Sequence, residues 1–162
     1  MPIIQLRTNL FTAIFLAFLT IAPFCASQAA GETNFQVFTD LHTALAESAK
    51  VNKPVLVDFS GSDWCGWCIK LDNEVFSKEV FLTWARENIV LCVLDFPRDR
   101  SKVSQSQALK NEAAKQKYEI KGFPTVLILD RDGKIKGKTG YQNGGPEAYI
   151  EMLKTLLNDK TF

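Results

Sequence analysis

Two cysteines three residues apart, set between an apolar run and a helix start, constrain this chain more than any other feature. The run is Pro54-Val55-Leu56-Val57-Asp58-Phe59, and the pair lies in Trp64-Cys65-Gly66-Trp67-Cys68. At (i, i+3) on a helix both sulfurs share one face, close enough to bridge. The first stands at the helix N-terminus, where unpaired N–H groups and the macrodipole favour an anion. A thiolate is stabilised there, and a thiolate is the attacking species in thiol–disulfide exchange. The pattern is that of a redox site.

The N-terminus bears on the compartment. Residues 1–9 carry one charge, Arg7, and no acid, and residues 10–21 are apolar apart from Thr12 and Thr20. Pro23 ends the run, and Ser27-Gln28-Ala29 fits a small-x-small cleavage site. We read residues 1–29 as a secretory signal peptide cut after Ala29, and residues 30–162 as a single domain. The apolar run is short for a membrane anchor, which needs ~20 residues. Cys25 follows Phe24 rather than a small residue, so it is not a lipid-attachment cysteine and leaves with the signal.

Charge excludes some partners. Of 19 Lys and Arg only Arg7 precedes residue 30, leaving 18 against 18 Asp and Glu, a net charge of zero for residues 30–162. That leaves no electrostatic footprint for nucleic acid or an anionic membrane. Three cysteines remain: Cys65, Cys68 and Cys92. A disulfide-stapled scaffold would carry an even, denser set. Cys92 lies in the apolar stretch Ile89-Val90-Leu91-Cys92-Val93-Leu94, where a free cysteine packs as a small apolar side chain, a regulatory or resolving thiol being the alternative.

Along the chain, 35–38 is a short strand, and Thr39 or Asp40 caps a helix to Val51. Residues 55–59 form a buried strand, and the CxxC helix runs to about Val75. Ser77 caps a helix over 78–87. A strand at 89–96, a polar loop, a helix at 106–118, a strand at 125–129, a turn at Asp130-Arg131-Asp132-Gly133 and a returning strand at 134–139 follow. Pro146 opens the last helix, whose apolar face is Ile150, Leu153, Leu156 and Leu157. Near-continuous apolar strands alternating with helices imply an α/β sheet covered on both faces, and the terminal hairpin makes it mixed.

This order, with Val-Leu-Val-Asp-Phe, then Trp-Cys-Gly-Trp-Cys, then Gly-Phe-Pro-Thr, resembles the thioredoxin fold over residues 34–158. It is similar to the exported thioredoxin-like proteins that carry a Trp-Cys-x-Trp-Cys site. The resemblance implies a central mixed β-sheet flanked by helices on both faces. It makes Cys65 the nucleophile and Cys68 the resolving cysteine of a redox-active disulfide. Pro124 matches the family's cis-proline, where substrate backbone pairs, and an X–Pro bond tolerates cis. Asp58 matches the buried acid that takes a proton from the resolving thiol, and an acid inside an apolar strand is itself unusual. There are three departures. Asp58 precedes Cys65 by seven residues rather than six, so the loop holds one extra residue. The lysine usual near that acid, on the third strand, is replaced by Leu91 or a neighbour. Gly66-Trp67 replaces the usual Gly-Pro.

Trp64, Trp67 and Phe123 are expected to form an apolar substrate-binding rim around an exposed Cys65 sulfur, suited to loosely folded polypeptide paired at the Pro124 edge. A strongly oxidising site often places a histidine between its cysteines to stabilise the thiolate. Here the interior is Gly-Trp, and the one histidine, His42, lies on the first helix as a surface residue. The expectation is therefore a periplasmic disulfide reductase acting on exported disulfide-containing proteins. An isomerase or oxidase and a non-catalytic thioredoxin-like chaperone are the alternatives. No Gly-x-Gly-x-x-Gly follows a strand, so no nicotinamide or flavin cofactor is expected, and electrons would come from a membrane thiol donor. No metal is expected either, because a second close Cys/His pair for zinc is missing, and Ile69 rather than His follows Cys68, against haem. No extra interface element stands out, so a monomer is expected.

Overall fold

A computed structural model describes residues 35–158. The expected signal segment, Cys25 included, lies outside them. The elements run β1 (Val37–Phe38), α1 (Leu41–Val51), β2 (Val55–Ser60), α2 (Gly66–Leu71), α3 (Glu79–Asn88), β3 (Val90–Asp95), α4 (Gln105–Lys117), β4 (Thr125–Leu129), β5 (Ile135–Thr139) and α5 (Gly145–Asn158). The strands form one sheet in the order β1-β3-β2-β4-β5. β1, β3 and β2 are parallel, while β4 and β5 pair antiparallel. This is the thioredoxin fold, a mixed sheet with helices on both faces, as expected from the sequence.

Alternation along β2 divides the core. Val55, Val57 and Phe59 face α1 and α4, packing with Ala44, Ala114 and Tyr118. Leu56 faces the other way, packing with Leu71 of α2, Phe81 of α3 and Tyr149 of α5. Each of these fully buried strand residues stabilises the fold by about 1.5–3 kcal/mol. Asp58 shares the parity of Leu56, so it points toward the face that carries α2. Cys92 packs on the opposite face, among Val57, Phe59 and Leu94.

Local chemistry sets the helix ends. The Asp40 carboxylate accepts from the Thr43 N–H at 3.0 Å, capping α1, and Asn52 closes it in the left-handed region at φ 57°. Besides end shifts of one or two residues, two assignments differ from the sequence reading. The CxxC helix does not continue as α-helix to Val75; after Leu71 it widens into a π-helical turn, Asp72–Phe76. Ser77 is not the cap of α3 either. Its N–H and hydroxyl both donate to the Asp72 carbonyl (2.9 and 2.8 Å), closing the wide turn, and Lys78 becomes the cap position.

Candidate active site

β2 delivers the chain to a tight turn at Gly61. The N–H groups of Trp64 and Cys65 both donate to the Gly61 carbonyl, at 3.3 and 2.9 Å. Cys65 then caps α2, its Sγ accepting from the Cys68 N–H at 3.2 Å. The two cysteines are disulfide-bonded, with Cα atoms 5.2 Å apart. Cys65 is only 6% exposed and Cys68 2%. The expectation of an exposed Cys65 sulfur is therefore corrected for this oxidised state, in which Cys65 is buried and its sulfur is bonded to that of Cys68.

The extra residue in the loop is tied down rather than loose. Ser62 donates its N–H and hydroxyl to the Asp95 carboxylate at 2.8 and 2.7 Å. The Asp63 carboxylate accepts the N–H groups of Arg98 and Asp99, both at 2.9 Å. These two bonds hold its pKa below the usual carboxylate value. Trp64 donates its indole N–H to the Phe96 carbonyl at 2.7 Å. The CxxC loop is thereby fixed to the segment leaving β3.

The expected aromatic rim is two separate clamps. Trp64 meets Phe123 edge-on at 5.7 Å, Phe123 packs on Phe96 at 5.2 Å, and Arg98 lies 5.4 Å from the Trp64 ring. Trp67 faces outward, 58% exposed, and its ring lies 5.1 Å from Tyr141. The Tyr141 hydroxyl donates to Glu74 at 2.6 Å, and the Lys70 ammonium stands 5.3 and 5.0 Å from the Trp67 and Tyr141 rings. Trp84 packs against the core on α3.

The Phe123–Pro124 bond is cis. Gly140 runs beside this loop: a Cβ there would stand 3.1 Å from the Pro124 carbonyl oxygen. The segment carrying Tyr141 therefore borders the proline.

Beneath the disulfide lies a cavity of about 290 Å³ lined by Asp58, Ser60, Cys68, Asp72, Val93 and Asp95, among others. Asp58 is 3% exposed, and its Oδ1 is buried with no hydrogen-bond partner among the described residues. Burial first, then the Asp72 charge, pushes its carboxyl up to about 7, against a smaller lowering by Ser60. Its partner across β3 is Val93, a neighbour of Leu91, while Leu91 itself pairs with Leu56. On the other face, burial raises the Cys92 thiol to about 12, which leaves it protonated. His42 is exposed on α1, in a surface hollow with Leu94 and Lys110 and apart from this cavity.

A model of the thioredoxin-like domain matches residues 41–157. The chain belongs to the thioredoxin-like family. This thioredoxin-like chain is 33% identical over 114 residues to the disulfide bond reductase DsbH of Chlamydia pneumoniae, covering 70% of this chain and 68% of that protein. It is 29% identical over 125 residues to the thioredoxin-related protein DsbJ of the same organism, covering 73% of this chain but only 36% of DsbJ. The solved structure of DsbH oxidoreductase superposes with a TM-score of 0.71 at 32% identity, covering 76% of this chain and 85% of that one. With the Cys65–Cys68 pair at bonding distance, the thioredoxin-like chain is a thiol–disulfide oxidoreductase.

Sequence reasoning missed Tyr141, Asp72 and Asp95. Tyr141 is remote in sequence from Trp67, and no local pattern joins them. The placement of Asp72 depends on a π-helical turn that 3.6-residue periodicity does not anticipate. The acidic spacing Asp58…Asp72…Asp95 gains meaning only once the fold is known.

Proposed function

We propose that this protein is an exported, periplasmic disulfide reductase with Cys65–Cys68 as its redox couple. In the reduced form the Cys65 thiolate attacks a substrate disulfide and forms a mixed disulfide, releasing one substrate thiolate. The Cys68 thiol gives its proton to Asp58 and attacks Cys65. The second substrate thiolate leaves, the Cys65–Cys68 bond forms, and two electrons have passed to the substrate. Pro124 offers the backbone edge for the substrate chain, and Trp64, Trp67 and Phe123 offer apolar area beside it.

The environment of the Cys65 sulfur carries the reductase direction. Among the described residues its hydrogen-bond donor is the Cys68 backbone N–H, and the intervening pair is Gly66-Trp67, with no cation. A thiolate stabilised by the helix N-terminus alone, without a cation, leaves the dithiol a better electron donor than an oxidant's unusually acidic thiol would. The likeness to a disulfide bond reductase supports the same direction.

Export is supported by the apolar run at residues 10–21 and the Ser27-Gln28-Ala29 site. An exported reductase works in an oxidising compartment, so its disulfide must be re-reduced by a partner, and a membrane thiol donor fits that need. We take the domain, residues 30–162, as a monomer that acts on disulfide-containing exported proteins.

The test is mixed-disulfide trapping. Cys68→Ala is expected to accumulate covalent adducts with exported client proteins through Cys65, released by dithiothreitol. Cys65→Ala is expected to form none and to lose all turnover. Full effect on clients in Cys65→Ala would instead mean a non-catalytic binding module.

A further inference from the structure

Among the described residues, three carboxyl groups, and no lysine, arginine or histidine, line the cavity beneath the disulfide. One of them, Asp58, lines that space together with Cys68 and has a buried oxygen with no hydrogen-bond partner among the described residues. A buried acid facing a cation would ionise readily; this one faces Val93 and two further acids. The two differ in what they do. Asp95 has both carboxylate oxygens occupied by Ser62, so its work is to anchor the loop. Asp72 is exposed, and its side chain takes no hydrogen bond among the described residues. Its backbone is nonetheless fixed: the Asp72 carbonyl closes the π-helical turn through Ser77. π-helical insertions often mark functional sites, because the added residue rotates the following side chains out of α-helical phase.

We infer that Asp72 is a positioning residue for the resolving step: its carboxylate, at the open side of the cavity, sets the pH at which Asp58 accepts the Cys68 proton. This rests on the proposed role of Asp58 as that acceptor. In the mixed disulfide, the Cys68 S–H bond breaks and its proton passes to the Asp58 carboxylate. The Cys68 thiolate attacks Cys65 Sγ, the Cys65–substrate S–S bond breaks as the Cys65–Cys68 bond forms, and the substrate sulfur leaves as a thiolate. Asp58 then returns its proton to water. A fixed negative charge beside the acceptor makes Asp58 a stronger base and opposes a second anion next to it. The Asp72 charge acts on Asp58 in this direction, second only to burial.

Among the described residues, the groups whose charge couples to Asp58 fit this assignment. Asp72 from the π-helical turn and Asp95 from β3 disfavour its charge, while the Ser60 hydroxyl from its own strand favours it. Tyr149 from α5 and Cys92 from β3 both feel the Asp58 charge, but burial raises both and keeps them neutral. Among the described residues, Asp72 is thus the one nearby charge that is accessible to solvent and free of a structural bond.

The experiment uses the reduced domain, residues 30–162, with excess Ellman's reagent. Attack by Cys65 releases the first thionitrobenzoate. Attack by Cys68 releases the second in a phase independent of reagent concentration, and its rate is followed against pH. In Asp72→Asn the midpoint of this phase is expected to move to lower pH by roughly half a unit, the size expected of one partly solvated charge. Asp72→Glu is expected to keep the wild-type midpoint, and added salt to shift the wild type toward Asp72→Asn. An unchanged midpoint in Asp72→Asn, with Asp58→Asn still altering the profile, overturns the role of Asp72 alone. A profile unchanged in Asp58→Asn overturns the acceptor role and this inference with it.

Discussion

Asp58 on β2 lies directly across from Val93 on β3. A buried carboxyl beneath a redox-active disulfide therefore faces a methyl-bearing side chain rather than a cation. Placing a cation there reverses the balance. In Val93→Lys the Asp58 titration, followed by carboxyl NMR in the oxidised protein, is expected to fall by roughly 1–3 units. The second phase of Cys68 attack is expected to slow near neutral pH, because Asp58 becomes a weaker base.

Asp58 also makes stability depend on pH. Its folded value of about 7 lies above the ordinary 3.8, so the folded state holds this proton more tightly than the unfolded one. The stability it contributes is fully present below about pH 4 and is lost as pH rises through about 7. The loss amounts to roughly 4 kcal/mol. Denaturant melts of wild type and Asp58→Asn are expected to converge below this window. Above it, Asp58→Asn gains on wild type by an amount of that order.

Gly61 leaves room for Trp64. A Cβ at Gly61 would stand 2.6 Å from the Trp64 ring, so the indole of Gly61→Ala has to leave its place and give up its bond to the Phe96 carbonyl. The expected cost is about 1–3 kcal/mol, with a change in tryptophan fluorescence, both read from one denaturant titration.

Cys92 packs on the sheet face opposite α2, and its thiol stays protonated. In the reduced domain two of the three thiols are expected to react with Ellman's reagent, and the third only on unfolding. Cys92→Ala is expected to leave turnover unchanged.

Much of this was legible before the structure. The apolar run to Phe59, the Cys65–Cys68 pair and Gly122-Phe123-Pro124 each specify local geometry: a buried strand, a capped helix start and a turn. Their order in sequence implied the sheet. What could not be read depended on contacts remote in sequence or on departures from regular helix. Trp67 is exposed, in keeping with a place on a rim, but its clamp on Tyr141 joins α2 to the segment after β5. Ser77 had the chemistry of a cap, yet the π-helical turn redirected its hydroxyl to Asp72. The extra loop residue was visible as a spacing. Its anchors, Asp95 and Asp63, needed the sheet to bring the segment after β3 alongside.

The most direct test of the central claim is the reduction potential of the Cys65–Cys68 couple, measured by equilibrating residues 30–162 against dithiothreitol or glutathione buffers. A disulfide reductase is expected to lie near the thioredoxin value of about −270 mV. A potential above about −180 mV, in the range of isomerases and oxidants, would contradict the reductase account.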